Sequence, residues 1–188
     1  MKASTQAINM IKNFEKPVLH SYKCLSTEEF YTIGYGHYGV GPGLTITTKQ
    51  AEDYLLKDLK KAEDAVNRYQ AIYNFNQNEF DALVSFAFNI GSISQLTARG
   101  HRNRSEISNA MIKYNKSSGK EIPGLTKRRM AEQMLFNTPI ARELKTTSQL
   151  AQEVILGKWG KGKTRKIKLE AFGYNYDEIQ AEVNRMLL

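Results

Sequence analysis

Asn76-Gln77-Asn78-Glu79-Phe80-Asp81-Ala82-Leu83-Val84-Ser85-Phe86-Ala87-Phe88-Asn89-Ile90-Gly91 is the stretch that decides the fold. Asn76 and Glu79 stand at the spacing of a capping box, which opens a helix, and Gly91 is the residue type that closes one. Between them, Phe80 to Ile90 is apolar on nearly every side. A helix with no polar face must be covered by other elements. The reading is a buried central helix in a domain where helices predominate.

Upstream, Ala7, Ile8, Ile11 and Phe14 recur at helical spacing over residues 4–14, and Pro17 closes the segment. Phe30-Tyr31-Thr32-Ile33-Gly34-Tyr35-Gly36-His37 is rich in strand formers and glycine, and Gly41-Pro42-Gly43 makes a turn before Leu44-Thr45-Ile46-Thr47 resumes alternation. A small antiparallel sheet is expected from about 20 to 47. Thr47-x-x-Gln50 resembles a capping box opening a long helix whose stripe is Ala51, Leu55, Leu59, Ala62, Val66 and Tyr69. The fold class is therefore α+β, mainly helical, with its sheet near the N-terminus.

Downstream, helices are expected at about 105–114 and 125–137. The composition shifts after Leu144: Lys145-Thr146-Thr147-Ser148 reads as a polar linker into a compact basic stretch. Helical patterns fit 148–156, 163–171 and 177–187. About forty residues is near the lower limit for independent folding, so Trp159, Phe172, Tyr174 and Tyr176 are expected to form this module's core. The boundaries drawn are 1–144 and 148–188.

Of the 188 residues, 41% are hydrophobic and 24% charged, ordinary for a globular chain. No run approaches the roughly 18 apolar residues of a membrane span, so stable membrane insertion is not expected. Residues 1–15 lack the continuous apolar segment of a cleavable signal; the expectation is accumulation in the cytoplasm and action elsewhere after release. Cys24 is the one cysteine, which excludes a disulfide framework and a cysteine metal site, and His20, His37 and His101 lack ligand spacing. No metal or cofactor is expected. The net charge of +8 favours an anionic partner, and charge by itself leaves nucleic acid, a membrane face and a wall polymer open.

Glu15 is the chemical candidate. It falls at the end of the first helical pattern, between Phe14 and Pro17, ahead of the glycine-rich hairpin. A helix C-terminus carries partial negative charge, which favours a carboxyl that keeps its proton, as a general acid working near neutral pH requires. The bland alternative is a solvated glutamate at a helix end.

Five ordered blocks alter that balance. Ile11-Lys12-Asn13-Phe14-Glu15-Lys16-Pro17, Tyr22-Lys23-Cys24, Thr32 to Gly39, Phe80 to Gly91, and Pro123-Gly124-Leu125-Thr126-Lys127-Arg128-Arg129 with Glu132 and Leu135-Phe136 strongly resemble the phage-type lysozymes of glycoside hydrolase family 24. The resemblance implies a lysozyme-like fold and cleavage of the β-1,4 bond between N-acetylmuramic acid and N-acetylglucosamine. It implies Glu15 as general acid, Thr32 positioning the attacking water, and a third residue nine positions after Glu15, Asp in many members and Cys in some, which is Cys24 here. With no carboxylate there, the usual inference from carboxylate separation to stereochemistry fails. Cys24 and Thr32 also stand two residues further apart than the family's pattern, the extra length falling within Ser26-Thr27-Glu28-Glu29. Either the loop bulges and Cys24 still faces Glu15, or the register shifts and Glu28 or Glu29 supplies the negative charge. A free thiol is mostly neutral at pH 7, so Cys24 reads as auxiliary, or simply as a small half-buried hydrophobe.

His37 lines the cleft or orients the hairpin. Asn89 binds an acetamido group or caps its helix. Arg128 and Arg129 contact substrate, or tie the lobes through acids such as Glu15 or Glu79.

Leu150-Ala151-x-Glu153-Val154-Ile155-x-Gly157-Lys158-Trp159-Gly160, Arg165-Lys166, Leu169, Gly173-Tyr174-x-Tyr176 and Val183-Asn184 resemble a wall-binding repeat found at the C-termini of phage lysins. That resemblance implies a three-helix bundle recognising the disaccharide-peptide unit of peptidoglycan. Trp159 would stack on a sugar, or only fill the small core; Arg165 would bind a peptide carboxylate. A monomer acting on peptidoglycan polysaccharide is the expectation. The rivals are a lytic transglycosylase, a catalytically impaired wall-binding protein, and a nucleic-acid binder suggested only by Lys161 to Lys166 and unsupported by any recognition motif.

Overall fold

Ser4 starts the first helix, α1 (Thr5–Phe14), by accepting a hydrogen bond from the Gln6 N–H, and the helix ends at Glu15, whose N–H donates to the Ile11 carbonyl. These details come from a computed structural model that describes residues 1–139, 145–171 and 174–187. The chain divides into two units, Met1–Ile140 and Ala141–Leu188.

In the first unit, α1 leads into an antiparallel sheet of β1 (Val18–Tyr22), β2 (Tyr31–Gly34) and β3 (His37–Val40), in that spatial order. Tyr22 lies opposite Thr32 and Thr32 opposite Tyr38. Directly paired residues share a face, so these three form a row across the sheet. The alternating segment Leu44–Thr47 does not form a further strand. Past the Gly41–Gly43 turn it touches β1 through one bridge, His20 to Thr45, flanked by Ser21 N–H to Leu44 and Ile46 N–H to Leu19. Thr47 is then committed to capping the next helix.

That helix, α2 (Thr48–Asn67), has the reciprocal Thr47–Gln50 capping box and buries Ala51, Leu55, Leu59, Ala62 and Val66. Tyr69 falls beyond its end, capping the short α3 (Gln70–Tyr73). The central helix is α4 (Gln77–Ile90), boxed by Asn76 and Glu79 and closed by Gly91 at φ +90°. Phe80, Leu83 and Phe86 are fully buried in it, each contributing about 1.5–3 kcal/mol of burial. It packs against α1, α2 and the later α6 (Pro123–Asn137), and α5 (Arg104–Met111) lies on α6. A hairpin of β4 (Lys116–Ser117) and β5 (Lys120–Glu121), turning through Ser118 and Gly119, joins these last two helices; the sequence reading assigned nothing there.

Gly34 shows how the sheet seats on α2. Its φ is +64°, and a Cβ there would stand 3.3 Å from Ala51 Cβ and 3.4 Å from Ala51 Cα, which is helix backbone. Gly34→Ala combines a left-handed conformation with this crowding, so a loss of about 1–3 kcal/mol is expected in urea denaturation. A loss below about 0.5 kcal/mol would mean the sheet and helix separate freely.

The second unit contains α7 (Thr147–Ile155), α8 (Gly162–Ala171) and α9 (Tyr176–Leu187). The stretch read as a linker is instead a helix start: Thr146 caps α7 in a box with Gln149, and Thr147 and Ser148 are helical. Among the described residues the fully buried core is aliphatic, with the expected aromatics packed against it. Leu150, Ala151, Val154, Leu169, Ile179 and Val183 are buried, while Trp159, Tyr174 and Tyr176 are partly buried against them. Apolar residues at helical spacing on α7 and α9 suffice to make a small seam. Phe172 lies outside the described residues. Among the described residues, no helix is long and apolar enough to cross a membrane.

Candidate active site

Glu15 owes its position to the end of α1. As C-cap it leaves helical geometry (φ −105°, ψ 88°), and its side chain, one-third exposed, meets the buried guanidinium of Arg128 on α6. Arg128 Nη1 donates to Glu15 Oε1, its Nε to Glu132 Oε1 at 3.1 Å and its Nη2 to the Ser85 carbonyl at 3.2 Å. The guanidinium also lies over the Phe14 ring, 5.6 Å from its centroid. Three acceptors and a ring fix its plane, and the plane fixes the carboxylate.

Arg129, fully buried, makes a second anchor. Its Nη2 donates to Asn89 Oδ1 at 3.0 Å and to Glu132 Oε1 at 3.2 Å, and its Nε lies 3.0 Å from Glu132 Oε2 as an ion pair without hydrogen-bond alignment. Ser85 Oγ donates to Glu132 at 2.7 Å. Burial pushes the Glu132 carboxyl up and the Arg129 guanidinium down; each is opposed by the other's charge. Arg128, not Arg129, reaches Glu15, and Glu79 pairs with Arg104 instead. Asn89 does not cap α4; Gly91 does. With Oδ1 occupied by Arg129, the Asn89 amide nitrogen is the group left to donate.

A cleft of about 450 Å³ runs beside Glu15, its lining including Tyr35, His37, Tyr38, Asp58 and Asn89. The Asp58 carboxylate accepts from His37 Nδ1 at 2.8 Å, and the imidazole stacks on Tyr54 with centroids 4.1 Å apart and planes 7° apart. His37 therefore both lines the cleft and ties the hairpin to α2.

Thr32 and Cys24 are not part of that lining. Thr32 is buried in β2, and Cys24 is exposed on the loop after β1. Glu28 Oε2 accepts from the Cys24 N–H at 3.0 Å and the Leu25 N–H at 3.4 Å, so this loop glutamate caps the lengthened turn. Tyr22, to which the sequence reading gave no role, ends β1 opposite Thr32. Burial first, then Cys24, Glu15 and Glu28, push the phenol above its usual value. The signal available was its position at the end of β1, two residues before Cys24.

In the second unit, Trp159 Nε1 donates to Glu153 Oε2 at 3.1 Å, and its ring meets Tyr174 edge to face. Arg165 Nε donates to the Gly160 carbonyl and Nη1 to Gln180 Oε1, both near 3 Å. Trp159 and Arg165 are thus both engaged within their own unit.

A glutamate at a helix end, facing a hairpin sheet and backed by a buried helix, places the chain in the lysozyme class of folds. The muramidase domain of SpmX from Asticaccaulis excentricus superposes with a TM-score of 0.63 at 31% identity, over 73% of this chain and 99% of that one. The chain belongs to the phage lysozyme family, whose model matches residues 12–132; a CW_7 repeat matches residues 148–187. The endolysin of Bacillus phage PZA is 46% identical over 73% of this chain, which spans only 56% of that relative's length. The endolysin of Lactococcus phage c2 is 36% identical over 88% of this chain and 75% of its own.

Proposed function

We propose that the chain is a peptidoglycan hydrolase that cuts the β-1,4 bond between N-acetylmuramic acid and N-acetylglucosamine, acting as a monomer on walls it reaches after release from the cytoplasm. The observation that carries this is Glu15 at the mouth of an open cleft, oriented by Arg128. Glu15 gives its proton to the glycosidic oxygen as the C1–O bond breaks. A water positioned by Thr32 adds its oxygen to C1, and its proton leaves to solvent. Cys24, on the loop after β1, acts on that water as an auxiliary. Asn89 donates to an acetamido carbonyl, and His37 shapes the wall opposite. Residues 148–188 form the wall-binding module, with Trp159 and Arg165 as its contacts. Tethering raises the local concentration of substrate even where one module binds weakly.

A second reading has its own support. Besides Glu15, the lining of the cleft holds one carboxylate, Asp58, and that is tied to His37. A site without a free second carboxylate suits a lytic transglycosylase, in which the sugar's own hydroxyl closes an anhydro ring in place of water.

Mass analysis of products from purified walls tests both. The expected products carry a new reducing end and one added water per cut. Anhydro products would transfer the assignment to transglycosylation, and intact glycan would leave only a wall-binding protein.

A further inference from the structure

Tyr38 and Phe30 are both large aromatics left open to solvent, at 52% and 44% exposure. Single exposed aromatics are common, but these two are organised. Their rings meet edge to face, 88° apart with centroids at 6.0 Å, and the Phe30 N–H reaches the Tyr38 hydroxyl at 3.4 Å. The hydroxyl is thereby turned toward the backbone of the neighbouring segment, and the ring is braced while about half of the residue stays exposed.

The placement is equally specific. Tyr38 sits opposite Thr32 in the β2–β3 ladder, so it shares that residue's face of the sheet, and it lines the cleft that holds Glu15. Gly36, two residues before it, has φ +97°, and a Cβ there would meet nothing within 4 Å. Bare backbone at Gly36, which also lines the cleft, leaves room beside the braced ring for a flat, ring-shaped ligand to lie down. A pyranose in a β-linked glycan offers such a shape: its axial C–H bonds make one apolar face, which matches the electron-rich face of a phenol, while its hydroxyls stay at the rim in water.

We propose that Tyr38, braced by Phe30, is a sugar-stacking subsite that holds a pyranose of the glycan flanking the bond to be cut. The inference rests on the glycan-cleaving reading above and extends it to how the polymer is held. The platform forms with the folded hairpin, so little side-chain freedom remains to be lost on binding. Its occupant is the glycan strand because the ring is continuous with the cleft where that strand is cut.

The test compares full-length Tyr38→Ala, Phe30→Ala and Tyr38→Phe with the wild type, on peptide-free glycan fragments prepared in short and long sizes. Tyr38→Ala is expected to raise KM about tenfold more on long fragments than on short ones, the equivalent of about 1.4 kcal/mol of contact. Phe30→Ala should follow in the same direction with a smaller effect, and Tyr38→Phe should recover most of the loss because the ring remains. Equal losses on both sizes would mean a structural role, and no loss would mean a bare surface; either result overturns the subsite. So would a monomer obtained from a wild-type dimer by Tyr38→Ala with KM unmoved, since the patch would then be a contact between copies. Glycan retention by Glu15→Gln, measured by co-sedimentation with and without Tyr38→Ala, separates the two ideas. If the wild type cuts nothing yet retention falls with Tyr38→Ala, the enzymatic reading fails and the subsite stands.

Discussion

Glu15→Gln is expected to lower the rate of wall solubilisation by about 10²–10⁴-fold, the usual share of a positioned general acid, while leaving the fold in place. The amide is nearly the same shape, and its oxygen still accepts from Arg128, so the loss isolates the proton. Some stability goes with it. The carboxylate is one-third exposed and its partner guanidinium is buried, so the ion pair is weakened by solvent on one side only, and a cost of about 1 kcal/mol is expected. Arg128 remains held by Glu132 and the Ser85 carbonyl. Turbidity clearing together with a urea melt separates the two effects. A variant that clears walls as fast as the wild type would remove Glu15 from the mechanism altogether.

How far the sequence reveals this site varies residue by residue. α4 is legible because its run from Phe80 to Ile90 permits no exposed face and both ends carry cap residues. Glu15 is legible as a helix end because Pro17 stops α1 and the apolar spacing stops at Phe14. α6 is legible as a helix but not as a functional one. It turns Arg128, Arg129 and Glu132 inward, and hydrophobic periodicity is blind to charges that bury one another. The pairing that matters, Arg128 with Glu15, spans 113 positions and leaves no local trace. Leu44 to Thr47 misleads in the opposite way. Its alternation is real, yet the chain has room there for one bridge before Thr47 must cap α2. Tyr22 and Tyr38 escape notice because an aromatic in a strand ordinarily means packing. The register sets both opposite Thr32, and Tyr38 alone of the two lines the cleft.

Glu132→Ala should have the largest effect on stability. The carboxylate is fully buried and accepts from Ser85 Oγ, Arg128 Nε and Arg129 Nη2. Without it, two buried guanidiniums face each other with Glu15 and Asn89 as their remaining side-chain partners. Removing one member of such a group costs about 3–5 kcal/mol, because uncompensated charge is left in the interior, and a domain holds only about 5–15 kcal/mol in total. Activity should fall as well. Arg128 orients Glu15 and Arg129 orients Asn89, so both cleft residues lose their anchors together. The comparison that gives this meaning is the triple replacement of Arg128, Arg129 and Glu132 by Met, Met and Leu. Apolar residues of similar volume can match or exceed a buried ionic group in stability. The expected outcome is a protein that melts near the wild type and clears walls as poorly as Glu15→Gln. If the triple variant is instead as unstable as Glu132→Ala, the buried charges hold the fold together and their service to the cleft is secondary.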